Sequence, residues 1–184
     1  MARGVSRCSE IAHRNLFRTR RRGRLIGSMQ HAVWLLFVLA GTCGAQRQQS
    51  LSREMLAAHN AVRARVKVAP LAWSDRLAGV AQNWADRLVA RKEFIHRPNS
   101  SYGENLFDMT GGSASPARVV DDWASEERDY DYRSNKCNGV CGHYTQIVWG
   151  ATKEVGCAVA RGGRREVWVC EYDPPGNWVG KRPY

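Results

Sequence analysis

The sequence lacks the long apolar runs and the short catalytic motifs that mark several large classes of protein. No apolar run reaches the roughly 18 residues of a membrane-spanning helix, which excludes a multi-pass membrane protein. There is no His-Glu-x-x-His and no Gly-x-Ser-x-Gly motif, so the usual signatures of zinc proteases and serine hydrolases are missing. No Cys-x-x-Cys pair is present, which argues against a zinc knuckle or ribbon.

Acidic residues are few relative to basic ones, and this imbalance is concentrated at the start of the chain. The 184 residues include 28 Lys and Arg but only 17 Asp and Glu, a net charge of +11, which would suit nucleic-acid binding. Residues 1–45, however, contain eight Arg and one acid, whereas residues 46–184 contain 20 basic and 16 acidic residues, a net charge of +4. No basic stripe with interleaved aromatic residues remains, so we expect no nucleic-acid partner.

The first 45 residues have the organisation of a secretory signal peptide. A basic stretch with six Arg at positions 14–24 precedes the apolar run Ala32–Ala40, and small residues follow it up to Ala45. We therefore predict cleavage after Ala45, which divides the chain into a leader, residues 1–45, and a single domain, residues 46–184. The mature protein would be secreted, or periplasmic or on the cell surface if the source is a bacterium.

Three alternatives to this cleavage stay open. The basic stretch is unusually long for a signal peptide, so Met29 is an alternative start. Cys43 would be acylated in a lipoprotein signal, although Thr42 just before it makes this the weaker choice. An uncleaved anchor is the third alternative, but about nine apolar residues are short for one.

Cleavage would leave four cysteines, an even number that favours two disulfides in an exported domain. They are Cys137, Cys141, Cys157 and Cys170. The segments on both sides of Gly162-Gly163 read as a hairpin, in which a four-residue loop at 162–165 would place Cys157 directly opposite Cys170. Such a pair is about 4.5 Å apart at Cα, close enough for a disulfide. A two-residue Gly-Gly turn would put the two cysteines on a diagonal, so we favour the longer loop, and Cys137 and Cys141 would then close a small ring.

The apolar spacing predicts helices in the first part of the domain and strands near its end. Three- and four-residue steps between apolar positions, with Ser at each start, predict helices at 52–66, 74–90 and from Ser115. Segments rich in Gly, Ser, Asn and Asp predict loops. The predicted loops are residues 97–114 and 128–142, and the predicted strands are Thr145–Trp149, Glu154–Arg161 and Glu166–Tyr172. Helices that flank an antiparallel sheet make an α+β sandwich.

Histidine is rare in the predicted domain, which contains only His59, His96 and His143. Glu126 follows Trp123 by three residues, which places its carboxylate on the buried side of the third predicted helix. Glu127 fits the same helix almost as well. A buried carboxylate needs a partner, because an unpaired charge in the core is costly, and His96 and His143 are the candidates.

Several stretches together resemble the cysteine-rich secretory, antigen-five and pathogenesis-related group, the CAP superfamily. They cover nearly all of residues 51–184, and the closest branch is the plant class-one pathogenesis-related proteins and their bacterial relatives. The matching stretches are His59-Asn60, Pro70–Trp73, Ile95-His96, Gly103–Leu106, Trp123–Glu126, Tyr130–Tyr132, Gly142–Trp149 and Cys170–Trp178.

This resemblance implies a three-layer α-β-α sandwich with a central antiparallel sheet and a cavity lined by two His and two Glu. On this chain the tetrad is His96, Glu104, Glu126 and His143, so the resemblance selects Glu126 over Glu127. His59 is outside the tetrad and is interpreted as a structural residue. The plant branch has a further disulfide whose cysteines would fall near Lys92 and Gly162. Both are absent here, which leaves the pairs Cys137–Cys141 and Cys157–Cys170.

The resemblance also implies a binding protein rather than an enzyme. Family members are linked to sterol and other lipid binding, to defence, and to protein or membrane-surface contacts. His96 and His143 would hold Zn²⁺ or another divalent metal. The candidate lipid loop is Phe107–Pro116, with Phe107 and Met109 as its apolar residues. We expect a monomer, and the alternatives are a zinc-dependent hydrolase or protease and a structural interaction module.

Overall fold

The computed structural model describes the backbone of residues 28–184 and the side chains of Gln46 and of residues 48–184. The basic stretch of the predicted leader lies outside the described residues, as do the side chains of its apolar run. Two compact units are present, with a boundary between Gln49 and Ser50, and all the described strands lie in the second unit, Ser50–Tyr184. Among the described residues, no helix is both long and apolar enough to cross a membrane.

Residues 28–184 form four α-helices and a 3-10 helix, and two of these helices start where predicted. Ser74 and Ser115 are the residues that precede helices, and the Ser115 hydroxyl accepts a hydrogen bond from the Arg118 backbone N–H at 3.2 Å. Ser52, which was predicted to start the first helix, lies inside it instead. The elements are α1 (Ser28–Arg65), α2 (Asp75–Arg91), α3 (Pro116–Ala124), the 3-10 helix (Ser125–Asp129) and α4 (Gly142–Ile147).

The central sheet has four strands in the order β1-β5-β6-β2. The long strands are antiparallel, but the two-residue β1 pairs with β5 in parallel, so the sheet is mixed rather than wholly antiparallel. A separate small sheet pairs β3 with β4. The strands are β1 (Ala72–Trp73), β2 (Gly103–Thr110), β3 (Tyr130–Asp131), β4 (Lys136–Cys137), β5 (Glu154–Gly162) and β6 (Arg165–Asp173).

Two predicted elements are wrong, and the predicted loop 128–142 includes the short strands β3 and β4. Residues 103–110, predicted as loop, form β2, because they pair along their whole length with β6 and this pairing outweighs their polar composition. Thr145–Trp149, predicted as a strand, is mostly helix α4. Tyr144, Ile147 and Val148 are all buried, and their three- and four-residue spacing is helical.

The sheet is covered on both faces, which confirms the α+β sandwich. Along β6, Val167 and Val169 face one core while Trp168 and Cys170 face the other, as the two-residue period of a strand requires. Helix α2 covers the first face with Ala81, Trp84, Ala85 and Leu88. The second face is covered by residues of α1, α3 and α4, which include Met55, Val62, Val119, Trp123, Tyr144 and Ile147.

One free edge of the sheet is β2, and a side chain of α3 closes part of it. The indole Nε1 of Trp123 donates to the Leu106 carbonyl at 3.0 Å, and the indole is almost fully buried. The guanidinium of Arg165 binds the Asp108 carboxylate through several hydrogen bonds near the other end of β2. Polar groups of the edge strand are therefore bound within the molecule.

Both disulfides form as predicted. The β5–β6 register places Cys157 opposite Cys170, with their Cα atoms 4.1 Å apart, and Cys137 and Cys141 are joined at a Cα distance of 5.9 Å. The hairpin turn is tighter than predicted, because Gly162 and Arg165 still pair and only two residues lie between them. Gly163 has a φ of +60°, a conformation that glycine adopts without steric cost.

Candidate functional site

The first candidate pair is His96 with Glu104. Helix α2 ends where Lys92 adopts a left-handed conformation, and the chain then returns toward the start of β2. There the His96 Nδ1 donates to Glu104 Oε1 at 2.6 Å, and the Arg97 backbone N–H donates to the same oxygen at 3.0 Å. The Glu104 side chain is 5% exposed and that of His96 is 66% exposed. The hydrogen bond to Glu104 raises the pKa of His96 above its usual value, so protonation of the exposed ring is favoured.

The second candidate pair is Glu126 with His143. Glu126 lies in the 3-10 helix just after α3, and its Oε1 accepts from His143 Nδ1 at 2.6 Å. Its Oε2 accepts from the backbone N–H groups of His143 and Tyr144 at 2.9 and 3.3 Å. Burial opposes ionisation of Glu126, but these hydrogen bonds outweigh it and hold the pKa below its usual value. Glu127 instead faces solvent and pairs with Arg65 at 2.9 Å, so Glu126 is the one of these two glutamates that contacts His143.

Strand β2 connects the two pairs at its first residues. Successive side chains of a strand point to opposite faces of the sheet, so the side chains of Glu104 and Asn105 lie on opposite faces. Glu104 binds His96 on one face, and Asn105 Nδ2 donates to the His143 carbonyl at 3.1 Å on the other. Within the described part of the chain, no three ligand atoms of the four predicted tetrad residues lie within 4.8 Å of one another. The tetrad is therefore arranged as two His–Glu pairs.

His59 is fully buried and belongs to a separate hydrogen-bond chain. Its Nδ1 donates to the Met55 carbonyl and its Nε2 accepts from the Tyr172 hydroxyl, both at 2.8 Å, and Asn105 Nδ2 donates to that hydroxyl at 3.1 Å. Burial lowers the pKa of His59 to about 4, so the ring is neutral at physiological pH. This arrangement fits the structural role predicted for His59.

One set of three potential metal-ligating side chains is close together in the described residues, but its chemistry does not fit a metal. It consists of His59 and the two cysteines of the buried disulfide, Cys157 and Cys170. A metal binds thiolate sulfur, and neither sulfur of a disulfide is a thiolate. Both ring nitrogens of His59 are also occupied by hydrogen bonds. This cluster therefore belongs to the core.

Two further residues, Glu171 and Arg97, lie beside the first pair and were not predicted from the sequence. Glu171 of β6 is fully buried, lies opposite Glu104, and accepts from Arg97 Nε at 3.0 Å. Burial, and then the charge of Glu104, raise the pKa of Glu171 to about 7. One oxygen of each of these two carboxylates is buried without a hydrogen-bond partner. The sequence signal for Glu171 was a glutamate at an inward-facing position of the last predicted strand. Because the residues of β2 were predicted to be a loop, no residue was expected opposite Glu171.

Phe107 and Met109, the apolar residues of the predicted lipid loop, lie on strand β2. Their side chains are partly buried and pack against the larger core of the sheet. Only the segment between Thr110 and Pro116 is a connection, and Glu166 holds it by accepting hydrogen bonds from the Ser113 hydroxyl at 2.9 Å and the Ala114 N–H at 3.0 Å. The prediction that this whole stretch is a loop is therefore wrong for its first four residues.

Residues 56–172 match the family model of the cysteine-rich secretory protein family, CAP. Pathogenesis-related protein 1A of Nicotiana tabacum is 43% identical over 153 residues, which are 82% of this chain and 89% of that protein. Pathogenesis-related protein 1 of Arabidopsis thaliana is 39% identical over 157 residues, 82% of this chain and 95% of that protein.

Solved structures with the same fold include venom allergen-like protein 4 of Schistosoma mansoni. That protein is 29% identical, with a TM-score of 0.61, and the alignment covers 72% of this chain and 92% of that one. NaASP2, in a crystal structure with Zn²⁺, is 25% identical with a TM-score of 0.61, and 73% of this chain aligns with 84% of it.

Proposed function

The chain belongs to the cysteine-rich secretory protein family, and we propose that it is an exported binding protein of the pathogenesis-related type. Proteins of this family are in general not classical enzymes, and the relatives compared above are named as pathogenesis-related proteins. The proposed role is in defence or host interaction. The ligands that we propose are a divalent metal at the two His–Glu pairs, and a sterol or other lipid.

Export is proposed through the leader, residues 1–45, with residues 46–184 as the mature domain. The two disulfides support this proposal, because such bonds persist in oxidising compartments outside the cytosol. The description of the matching family, cysteine-rich secretory proteins, also supports it. Mass spectrometry of the protein recovered from the culture medium would test it, and a mature N-terminus other than Gln46 would correct the cleavage site.

The observation that carries the metal proposal is that each histidine is held by a carboxylate through the same ring nitrogen. Nδ1 of His96 binds Glu104 and Nδ1 of His143 binds Glu126. Metal-ligating histidines typically donate one ring N–H to a carboxylate in this way, which orients the other nitrogen toward the metal. His96 and His143 would therefore offer Nε2 to the metal. The NaASP2 crystal structure with Zn²⁺ supports this choice of metal.

A bound Zn²⁺ would supply Lewis-acid chemistry, and this allows the alternative of a hydrolase. Isothermal titration with Zn²⁺ tests binding, with His96→Ala and His143→Ala as variants and His59→Gln as a control outside both pairs. We expect each of the two alanine variants to weaken binding. Wild-type protein with Zn²⁺ that hydrolyses members of a panel of esters and peptides would favour the hydrolase instead, provided that the two alanine variants show no such hydrolysis.

Lipid binding is proposed from the family and is tested separately. A radiolabelled sterol, titrated with the protein in the absence of membranes, should show saturable binding that unlabelled sterol competes away. Lack of saturation, with fatty acids and phospholipids also failing to compete, would leave a structural interaction module as the better interpretation. The result is independent of the metal titration, because Zn²⁺ can be left out of the assay.

A further inference from the structure

Exposed apolar side chains are concentrated on one surface that the proposed function does not use. In the described part of the chain, six large apolar residues are exposed, and four of them lie in residues 130–141 or 174–184. We call the surface that these two segments form the tail face. Its four exposed apolar residues are Tyr132 at 45%, Val140 at 62%, Trp178 at 62% and Val179 at 102% of full exposure. Apolar side chains exposed together in this way typically mark an interaction site.

The two segments of the tail face are fixed to each other. The guanidinium of Arg182 donates to the carbonyls of Tyr132 and Arg133 and lies over the Tyr132 ring, 5.2 Å from its centroid. Tyr184 also stacks on the Tyr132 ring, at a centroid distance of 4.7 Å. The two segments therefore present one continuous surface.

A cavity of about 270 Å³ opens between the two segments and α4. It is lined by both segments, with aromatic walls from Tyr130, Trp149 and Trp178 and with Lys181 at its margin. Thr145 of α4 donates to Asn177 Oδ1 at 2.7 Å, and Asn177 Nδ2 donates to the Gly142 carbonyl at 2.9 Å. The second segment is thus attached to the body of the domain, and Trp178 and Val179 project from a defined support.

The tail face is also basic. Its two segments contain four basic side chains and one acidic side chain, a net charge of +3. The basic residues are Arg133, Lys136, Lys181 and Arg182. None of the four takes part in an ion pair among residues 46–184, and the one acidic residue, Asp131, is bound to the Ser134 hydroxyl at 2.5 Å and to the Arg133 N–H at 2.9 Å.

We propose that the tail face docks on the surface of an anionic lipid bilayer. Trp178 and Val179 would enter the headgroup region, where tryptophan is favoured, while Lys136, Lys181 and Arg133 contact lipid phosphates and carboxylates. Clustered Lys and Arg next to exposed apolar side chains are the combination that binds anionic membranes. This proposal goes beyond metal and sterol binding and does not depend on either.

The experiment is sedimentation of the exported protein, recovered from the culture medium, with vesicles of phosphatidylcholine, with and without phosphatidylserine. We expect binding to the phosphatidylserine vesicles that weakens as salt is raised. Hydrogen exchange of residues 130–141 and 174–184 should slow when these vesicles are present, which locates the contact.

Two variants change the tail face without disturbing packing, because the side chains involved are exposed. Val179→Asp and the double variant Lys136→Glu/Lys181→Glu should each weaken vesicle binding, the double variant by about tenfold or more. The matched controls are Phe94→Asp, another exposed apolar residue, and Arg53→Glu/Arg118→Glu, two exposed basic residues elsewhere. We expect the controls to bind within about twofold of the wild type.

Three results would overturn the proposal. The first is a wild-type chain that sediments equally with both vesicle types, and the second is equal weakening in the tail-face and control variants. The third is a wild type that binds neither vesicle, in which case the tail face is better explained as a site for a protein partner. Failure here leaves the sterol and Zn²⁺ results untouched, because those assays contain no bilayer.

Discussion

Glu171 of β6 lies directly opposite Glu104 of β2, and both carboxylates accept hydrogen bonds from one residue, Arg97. The Arg97 side chain binds Glu171, and its backbone N–H binds Glu104, which the His96 ring also binds. Two carboxylates so close together resist full ionisation. Burial of the Glu171 carboxylate, and then the charge of Glu104, raise the pKa of Glu171 to about 7.

Glu171→Gln should make the stability of the domain less sensitive to pH. A carboxyl group with a folded-state pKa raised to about 7 stabilises the fold fully below the ordinary pKa of 4.5, and this contribution is lost as pH rises through 7. We expect the wild type to lose about 2 kcal/mol from this group between pH 5 and pH 8. Glutamine resembles the protonated acid at every pH, so urea denaturation should show the variant as the more stable of the two at pH 8. The raised pKa of His96 adds a slope of the same sign to both proteins, and equal slopes in the two would contradict the prediction.

Tyr172→Phe should destabilise the domain by about 1–3 kcal/mol, because it leaves buried polar groups without partners. The lost hydroxyl is the donor to His59 Nε2 and the acceptor for Asn105 Nδ2. Tyr132→Phe is the matched control, since that ring is 45% exposed. Thermal or urea unfolding measures both changes. A similar effect in the two variants would argue against a contribution of the buried hydrogen bonds to stability.

Glu126→Gln should lower Zn²⁺ affinity by about 10- to 100-fold if the metal proposal is correct, because it weakens the support of the His143 ring. Glu127→Gln is the control one residue away, where only an exposed ion pair with Arg65 is lost, and its cost in stability is at most about 1 kcal/mol. Calorimetric titration of both variants gives the comparison. Unchanged affinity in Glu126→Gln would remove this carboxylate from the metal site.

The two disulfides should contribute unequally to stability. Cys157 and Cys170 are 13 residues apart in the sequence, whereas Cys137 and Cys141 are only four apart. The longer loop loses more entropy in the unfolded chain, so Cys157→Ala/Cys170→Ala should cost about 2–5 kcal/mol and Cys137→Ala/Cys141→Ala less. Denaturation of the two double variants tests this order, which a larger loss from the small ring would reverse.

Two glycines should respond to alanine in opposite directions. A Cβ at Gly156 of β5 would come within 2.2 Å of the Ala78 backbone nitrogen, so Gly156→Ala must displace α2 from the sheet and lower stability. At Gly79, inside α2, nothing lies within 4 Å of the added Cβ. Gly79→Ala should therefore raise stability by about 0.5–1 kcal/mol, the helix preference for alanine. Unfolding midpoints of the two variants are the measurement.

Local sequence signals were sufficient for the elements that residues close together in the sequence determine. The hairpin register could be predicted because Cys157 and Cys170 each occupy a position on the same face of neighbouring strands. The start of α3 could be predicted because Ser115 and Pro116 are a cap and a first-turn residue.

The sequence was not sufficient where distant residues decide the conformation. Strand β2 depends on β6, some sixty residues later, and its own Gly, Asn and Asp residues do not favour a strand. The role of Glu171 could not be predicted for the same reason, because it depends on that pairing. The choice between Glu126 and Glu127 likewise depends on distant residues, because Glu126 binds His143 whereas Glu127 lies in solvent beside Arg65.

The hydrogen bond from Trp123 to the Leu106 carbonyl has a consequence for self-association. An exposed edge strand can recruit a strand of a neighbouring molecule and start aggregation, and β2 is the longer of the two edge strands of the sheet. The bulky indole occupies one acceptor in the middle of that edge, and the Asp108–Arg165 ion pair places charges near its end. Addition of a further strand would have to displace both, so this edge of the sheet resists pairing with a strand of a second molecule.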